Sequence, residues 1–69
     1  MITMTKINHD NKLMFTMTDI EVYTHRNAHL LGELSFDEPV ILLNVTKYGE
    51  SIVLTKFGIG VVDSHDIRI

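Results

Sequence analysis

The side chains with most chemistry open to them are four histidines and nine carboxylates, and they gather in a few short stretches. His25-Arg26-Asn27-Ala28-His29 sets two imidazoles four residues apart, the spacing at which a helix can hold a metal between successive turns. The segment lacks the Glu of a metalloprotease and reads as a loop. His9-Asp10 and His65-Asp66 add further imidazole and carboxylate groups, so that His25, His65 and Asp66 have the donor types of a zinc site. Loop histidines beside acids are common on ordinary surfaces, and neither a metal nor a cofactor is expected. Ser64-His65-Asp66 contains the three residue types of an acyl-transfer triad, but a triad needs them to converge from separate parts of a fold. Glu33, Asp37 and Glu38 offer paired carboxylates for acid–base work. A domain this small has little interior in which to desolvate them. With no Cys nucleophile, no Gly-rich phosphate loop and no G-x-S-x-G, an enzyme is not expected.

Whatever positions these groups must be small. The 69 residues allow one domain, residues 1–69, which buries only about 60% of its unfolded surface. No cysteine is present to staple it. Stability has to come from packing or from self-association. Nine acidic residues against six basic ones give a net charge of −3, and the basic residues stand singly along the chain. Phosphate backbones are bound by clustered Lys and Arg, so nucleic-acid binding is disfavoured. Met1-Ile2-Thr3-Met4-Thr5-Lys6 has no apolar signal region, and the longest apolar run is Val40-Ile41-Leu42-Leu43. No secretion signal or membrane span is read, and a cytoplasmic protein of bacterial, plasmid or viral origin is expected.

The periodicity is that of strands. Ile2 and Met4 alternate with Thr3 and Thr5; Asn8-His9-Asp10-Asn11 is a turn; Leu13, Phe15 and Met17 then alternate with Met14 and Thr16. Residues 1–18 read as an amino-terminal strand or hairpin added to a core domain at 19–69. Ile20 and Val22 face inward in the next strand, and Asp37-Glu38-Pro39 turns into the apolar strand from Pro39 to Thr46. A turn at Lys47-Tyr48-Gly49-Glu50 precedes a strand from Ser51 to Phe57, with Ile52, Leu54 and Lys56 on one side and Val53, Thr55 and Phe57 on the other. Gly58-Ile59-Gly60 reads as a tight connection, and Ser64-His65-Asp66 as one 3₁₀ turn before a closing strand. No helical stripe, internal repeat or linker is read. The class is all-β, a small barrel of about five strands with the amino-terminal addition.

From Ile20 to Ile67 the order of signals resembles SH3 domains, including the bacterial form. Val22-Tyr23-Thr24-His25 resembles the ALYDY strand, Glu33-Leu34-Ser35-Phe36 the ELSF stretch, and Val40-Ile41-Leu42-Leu43 the strand after it. Gly60-Val61-Val62-Asp63-Ser64-His65-Asp66-Ile67 resembles the closing motif, while Leu31-Gly32-Glu33-Leu34 and Thr55 to Val62 resemble stretches of the bacterial form. The resemblance implies an SH3-like barrel in which Leu34 and Phe36 anchor the core. It also implies a ligand face that would carry an aromatic shelf for proline-rich peptides. At the shelf's tryptophan, its closing-motif proline and the tyrosine after that proline this chain has Glu50, Asp63 and Asp66, so that mode of recognition is not expected.

What that face holds instead is Tyr23, His25, Tyr48, Glu50, Asp63, His65 and Asp66, an acidic and aromatic set suited to a basic protein segment. The expectation is a non-catalytic protein-binding module, a small cytoplasmic regulator or inhibitor of phage or mobile-element type that binds a cellular protein. Two alternatives stand beside it. One is a homo-oligomeric assembly subunit joined through residues 1–18; the other is a small-ligand binder in which Tyr23, Tyr48 and Arg26 hold a nucleotide.

Overall fold

Alternating apolar and polar residues, broken at close intervals by Gly, Pro, Asp and Asn, give one curled antiparallel sheet. The computed structural model describes residues 11–24 and 28–69. Its strands are β1 (Lys12–Thr16), β2 (Ile20–Tyr23), β3 (Leu30–Leu34), β4 (Pro39–Val45), β5 (Glu50–Thr55), β6 (Gly58–Asp63) and β7 (Ile67–Arg68). A single 3₁₀ turn, Ser64–Asp66, stands before β7 as the sequence predicts. The order across the sheet is β3-β2-β6-β5-β4-β1-β7. β4, β5 and β6 form a meander, β2 and β3 a hairpin beside it, and β1 lies between β4 and β7. β1, read from sequence as part of an amino-terminal addition, is thus an interior member of the sheet. The first strand of the expected hairpin falls in residues 1–10, outside the described residues.

The inward faces supply the core. Ile20, Val22, Leu34, Val40, Val53, Val62 and Ile67 are buried, with Met14, Leu31 and Leu42 packed against them. Each of β2 to β7 contributes at least one of these seven side chains, so one face of the whole sheet encloses a common interior. The two sides expected for β5 are those observed: Val53 and Thr55 point inward, and Leu54 outward. Leu34 is 1% exposed and is the largest fully buried side chain, whereas Phe36, expected to anchor the core with it, is 63% exposed. The reason lies in the turn and its tie to β2. Asp37 adopts a positive φ of 66°, and the Phe36 amide donates to Asp19 Oδ1 at 2.8 Å, so the chain turns with the Phe36 ring outside.

Two hairpin tips share one chemistry. Thr46-Lys47-Tyr48-Gly49 and Thr55-Lys56-Phe57-Gly58 repeat a Thr-Lys-aromatic-Gly pattern at an interval of nine residues, a short recurrence the sequence reading passes over. In the first, Thr46 Oγ1 accepts from the Tyr48 amide at 3.1 Å; in the second, Thr55 Oγ1 accepts from the Phe57 amide at 3.0 Å. The glycines take the left-handed backbone each tip needs, with φ of 82° at Gly49 and 112° at Gly58. The second turn therefore falls at Lys56–Phe57, and Gly58-Ile59-Gly60, expected as a connection, opens β6. Gly60 has a different reason to lack a side chain. A Cβ there would meet Val22 Cγ1 and stand 2.9 Å from the Tyr23 carbonyl oxygen, where β2 joins β6 through the Tyr23–Val61 pair.

The turn between β3 and β4 is held by one threonine of β1. Thr16 is fully buried. Its hydroxyl donates to the Ser35 carbonyl at 2.6 Å and accepts from the Glu38 amide at 2.8 Å. Its amide donates to the Glu38 carbonyl at 3.0 Å, and its carbonyl accepts from the Asp37 amide at 2.9 Å. Replacing the hydroxyl with a methyl strands two backbone groups at a desolvation cost of about 1–3 kcal/mol each when buried. Thr16→Val is expected to lose about 2–3 kcal/mol in urea unfolding. Thr16→Ser, which keeps both bonds and loses a methyl, should lose about 1 kcal/mol.

Candidate functional site

The candidate site is an acidic cleft between the β2–β3 hairpin and the carboxyl end of β6. The stretch Thr18-Asp19 brings the chain into β2 along one wall, and Ile20 and Val62 reach its floor from the core side. The cleft has a volume of about 710 Å³. Asp19, Glu21, Glu33, Glu50, Asp63 and Asp66 all line it, two-thirds of the nine acidic residues in the chain. Tyr23 and Val61 supply the remaining apolar surface.

Strand register is what gathers the charge. Glu21 on β2 stands directly opposite Glu33 on β3, and Glu50 on β5 directly opposite Asp63 on β6. Like charges in such cross-strand positions destabilise a sheet. Both pairs border the same cleft. The Tyr23 hydroxyl donates to Glu21 Oε1 at 2.8 Å. That hydrogen bond, then the negative charge of Glu21, and least of all burial push the Tyr23 phenol above its ordinary value of 10.0. The neutral phenol is therefore the form the folded chain favours, and this contribution is fully present below pH 10 and lost as pH rises through the raised value.

Of the residues singled out from sequence, Tyr23, Glu50, Asp63 and Asp66 line the cleft. Tyr48 and His65 do not: Tyr48 sits exposed at the β4–β5 tip, and His65 lies exposed on the 3₁₀ turn beside Asp63. His25, Arg26 and Asn27 lie outside the described residues, and with them the His25–His29 pair and the zinc set that used it. Asp63 has a structural duty as well, since its Oδ1 accepts from the His65 amide at 2.9 Å and caps the turn.

The other clusters singled out from sequence are dispersed in the fold. The Ser64 hydroxyl is hydrogen-bonded to the Ser51 hydroxyl at 2.7 Å, while His65 Nδ1 lies 3.3 Å from Asp63 Oδ1, so Ser64, His65 and Asp66 do not converge. Glu33, Asp37 and Glu38 separate likewise: Glu33 joins the cleft, Asp37 pairs with Arg68 at 3.0 Å, and Glu38 with Lys56 at 3.0 Å. Among the described residues no group of three or more His, Asp or Glu is close enough to hold a metal ion, and no helix is long and apolar enough to cross a membrane. Glu33 reads from sequence as a partner of Asp37 and Glu38, and the cleft acids not singled out there are Asp19 and Glu21. Their signal was present in the alternation Asp19-Ile20-Glu21-Val22, which puts both acids on the face opposite two buried residues.

Comparison with protein-family models, with curated proteins and with solved structures returned no match.

Two measurements check this geometry. Glu33→Gln relieves the repulsion with Glu21 and is expected to raise the thermal midpoint by about 1–6 °C at low salt. The gain should shrink in 0.5 M salt, about where screening removes surface electrostatics. In a Tyr48→Phe background, where Tyr23 is the one phenol left, ultraviolet titration should give a midpoint above 10, moving down when Glu21 becomes Gln.

Proposed function

We propose that this protein is an SH3-like binding module that occupies a basic segment of another protein through its acidic cleft. The strand order supports the SH3-like part of the reading: a β4–β5–β6 meander, a hairpin ahead of it, a 3₁₀ turn behind it, and the first and last described strands paired. The feature that carries the functional part is the Glu21–Glu33 pair. A chain with so small a core keeps two carboxylates face to face at the rim of a cleft where further acids already gather, and a guanidinium or ammonium entering there offsets that repulsion. The dispersal of the acids around an open cleft suits an extended cationic segment better than a single metal ion, which needs several ligands within about 2.5 Å of one point. Tyr23 gives such a segment a flat ring to pack on, with its hydroxyl already engaged by Glu21. Binding without chemistry fits the separation of Ser64, His65 and Asp66, and the role is that of a small cytoplasmic regulator or inhibitor.

The test is fluorescence anisotropy with labelled eight-residue peptides, one Arg/Lys-rich and one Asp/Glu-rich. The basic peptide should bind and the acidic one should not, with affinity falling steeply between 50 and 500 mM salt as surface charge is screened. Glu21→Lys/Glu33→Lys leaves the Asp63 cap intact and should weaken binding at least tenfold, about 1.4 kcal/mol. Equal binding of the two peptides, or of the double variant, would sink the reading.

A further inference from the structure

The outward face of the meander is apolar where a solvent-facing sheet surface is ordinarily polar. Leu13, Ile41, Leu54 and Ile59 are successive cross-strand partners on β1, β4, β5 and β6, and form one continuous row over four strands. Leu13 is 53% exposed, Leu54 44% and Ile59 58%. Ile52 and Val61, also opposite each other, lie one step along the same face. Contiguous exposed apolar surface of this kind marks an interface.

Charge on β5 identifies what covers it. Reading outward positions along the strand and into its turn gives Glu50, Ile52, Leu54 and Lys56, an acid and a base placed symmetrically about Val53 with two aliphatic residues between. The row is complementary to itself reversed. We propose that two copies of this chain pack these faces together about a two-fold axis near Val53, setting Ile52 of one against Leu54 of the other and Glu50 of one against Lys56 of the other. Isologous interfaces require such self-complementarity. Sheets packed face to face lie about 10 Å apart with strands crossing at about 30°, an offset at the row's ends that Glu and Lys side chains span. Lys56, already 3.0 Å from Glu38, keeps that bond and sits between two carboxylates in the pair. The same two-fold keeps the lateral order of the strands, so it sets Ile59 of one copy against Val61 of the other and Ile41 against Asn44. The face shares Glu50 and Val61 with the cleft but not Glu21 or Glu33, so Leu54→Asp and Lys56→Glu test the pairing without altering the cleft lining.

Sedimentation velocity from about 5 to 500 μM, the range in which a patch this small self-associates, reads the pairing directly. The full chain should pass from monomer to dimer across that range. Leu54→Asp, at an exposed site that leaves the core untouched, should remain monomeric throughout with an unchanged circular dichroism spectrum. Lys56→Glu and Glu50→Lys should each weaken self-association at least tenfold, because each sets like charges together twice. An equimolar mixture of the two should associate as tightly as the unmodified chain, since the mixed pair makes both opposite-charge contacts. A chain that is monomeric at the highest concentration, a dimer indifferent to Leu54→Asp, or single charge variants that do not recover on mixing would each overturn the proposal.

Discussion

Four hydrogen bonds of one buried threonine hold the framework in register. Through Thr16, β1 grips both ends of the turn that leads from β3 into β4, from Ser35 to Glu38. The alternative for Ser35 and Glu38 would be solvated backbone in a loop free to shift, and a one-residue slip would turn Val40 out of the core. The Phe36 amide bond to Asp19 ties the same turn to the entrance of β2. The β1–β2 junction and the β3–β4 turn, 17 to 22 residues apart at these bonds, are thus referred to one point. The cleft inherits its shape from that point, because Asp19 begins one of its walls.

The cleft shows how a small sheet divides its charged residues. Asp37 and Glu38 sit near Arg68 and Lys56 and serve as surface ion pairs, individually worth little. Glu21 and Glu33 face each other instead. Their electrostatic cost is modest beside the stability of a domain but large beside that of most exposed residues. On the reading proposed above, the strands set the backbone positions of these carboxylates in advance of a cation, which lowers the ordering cost of binding.

The legible parts of the fold were those encoded by neighbours in sequence. The meander, the inward sides of β5 and the 3₁₀ turn follow from period-two patterning and short polar turns, although the β5–β6 turn falls at Lys56–Phe57 and not at Gly58–Gly60. Phe36 misled because an aromatic beside a buried leucine resembles core, whereas the positive φ at Asp37 and the Asp19 bond that turn it outward depend on a partner 17 residues away. The placement of β1 was hidden for the same reason, since its partners on β4 and β7 are remote. Four cleft residues were named from sequence by way of a family resemblance. The opposition of Glu21 and Glu33 was not, because only strand register brings them together.

The repeated turns have a kinetic meaning. Each Thr-Lys-aromatic-Gly tip closes its own hairpin with a side-chain bond spanning two residues, so β4, β5 and β6 can pair with little chain entropy lost. The pairing of Thr16 with Ile67, by contrast, closes a loop of about fifty residues. Closure entropy is therefore lowest for the meander and highest for the seam between β1 and β7. β1 meets β4 at four positions and β7 at two, so the Thr16 grip on the turn at Ser35 to Glu38 comes with the β4 pairing, and the β7 seam closes over a framework already tied.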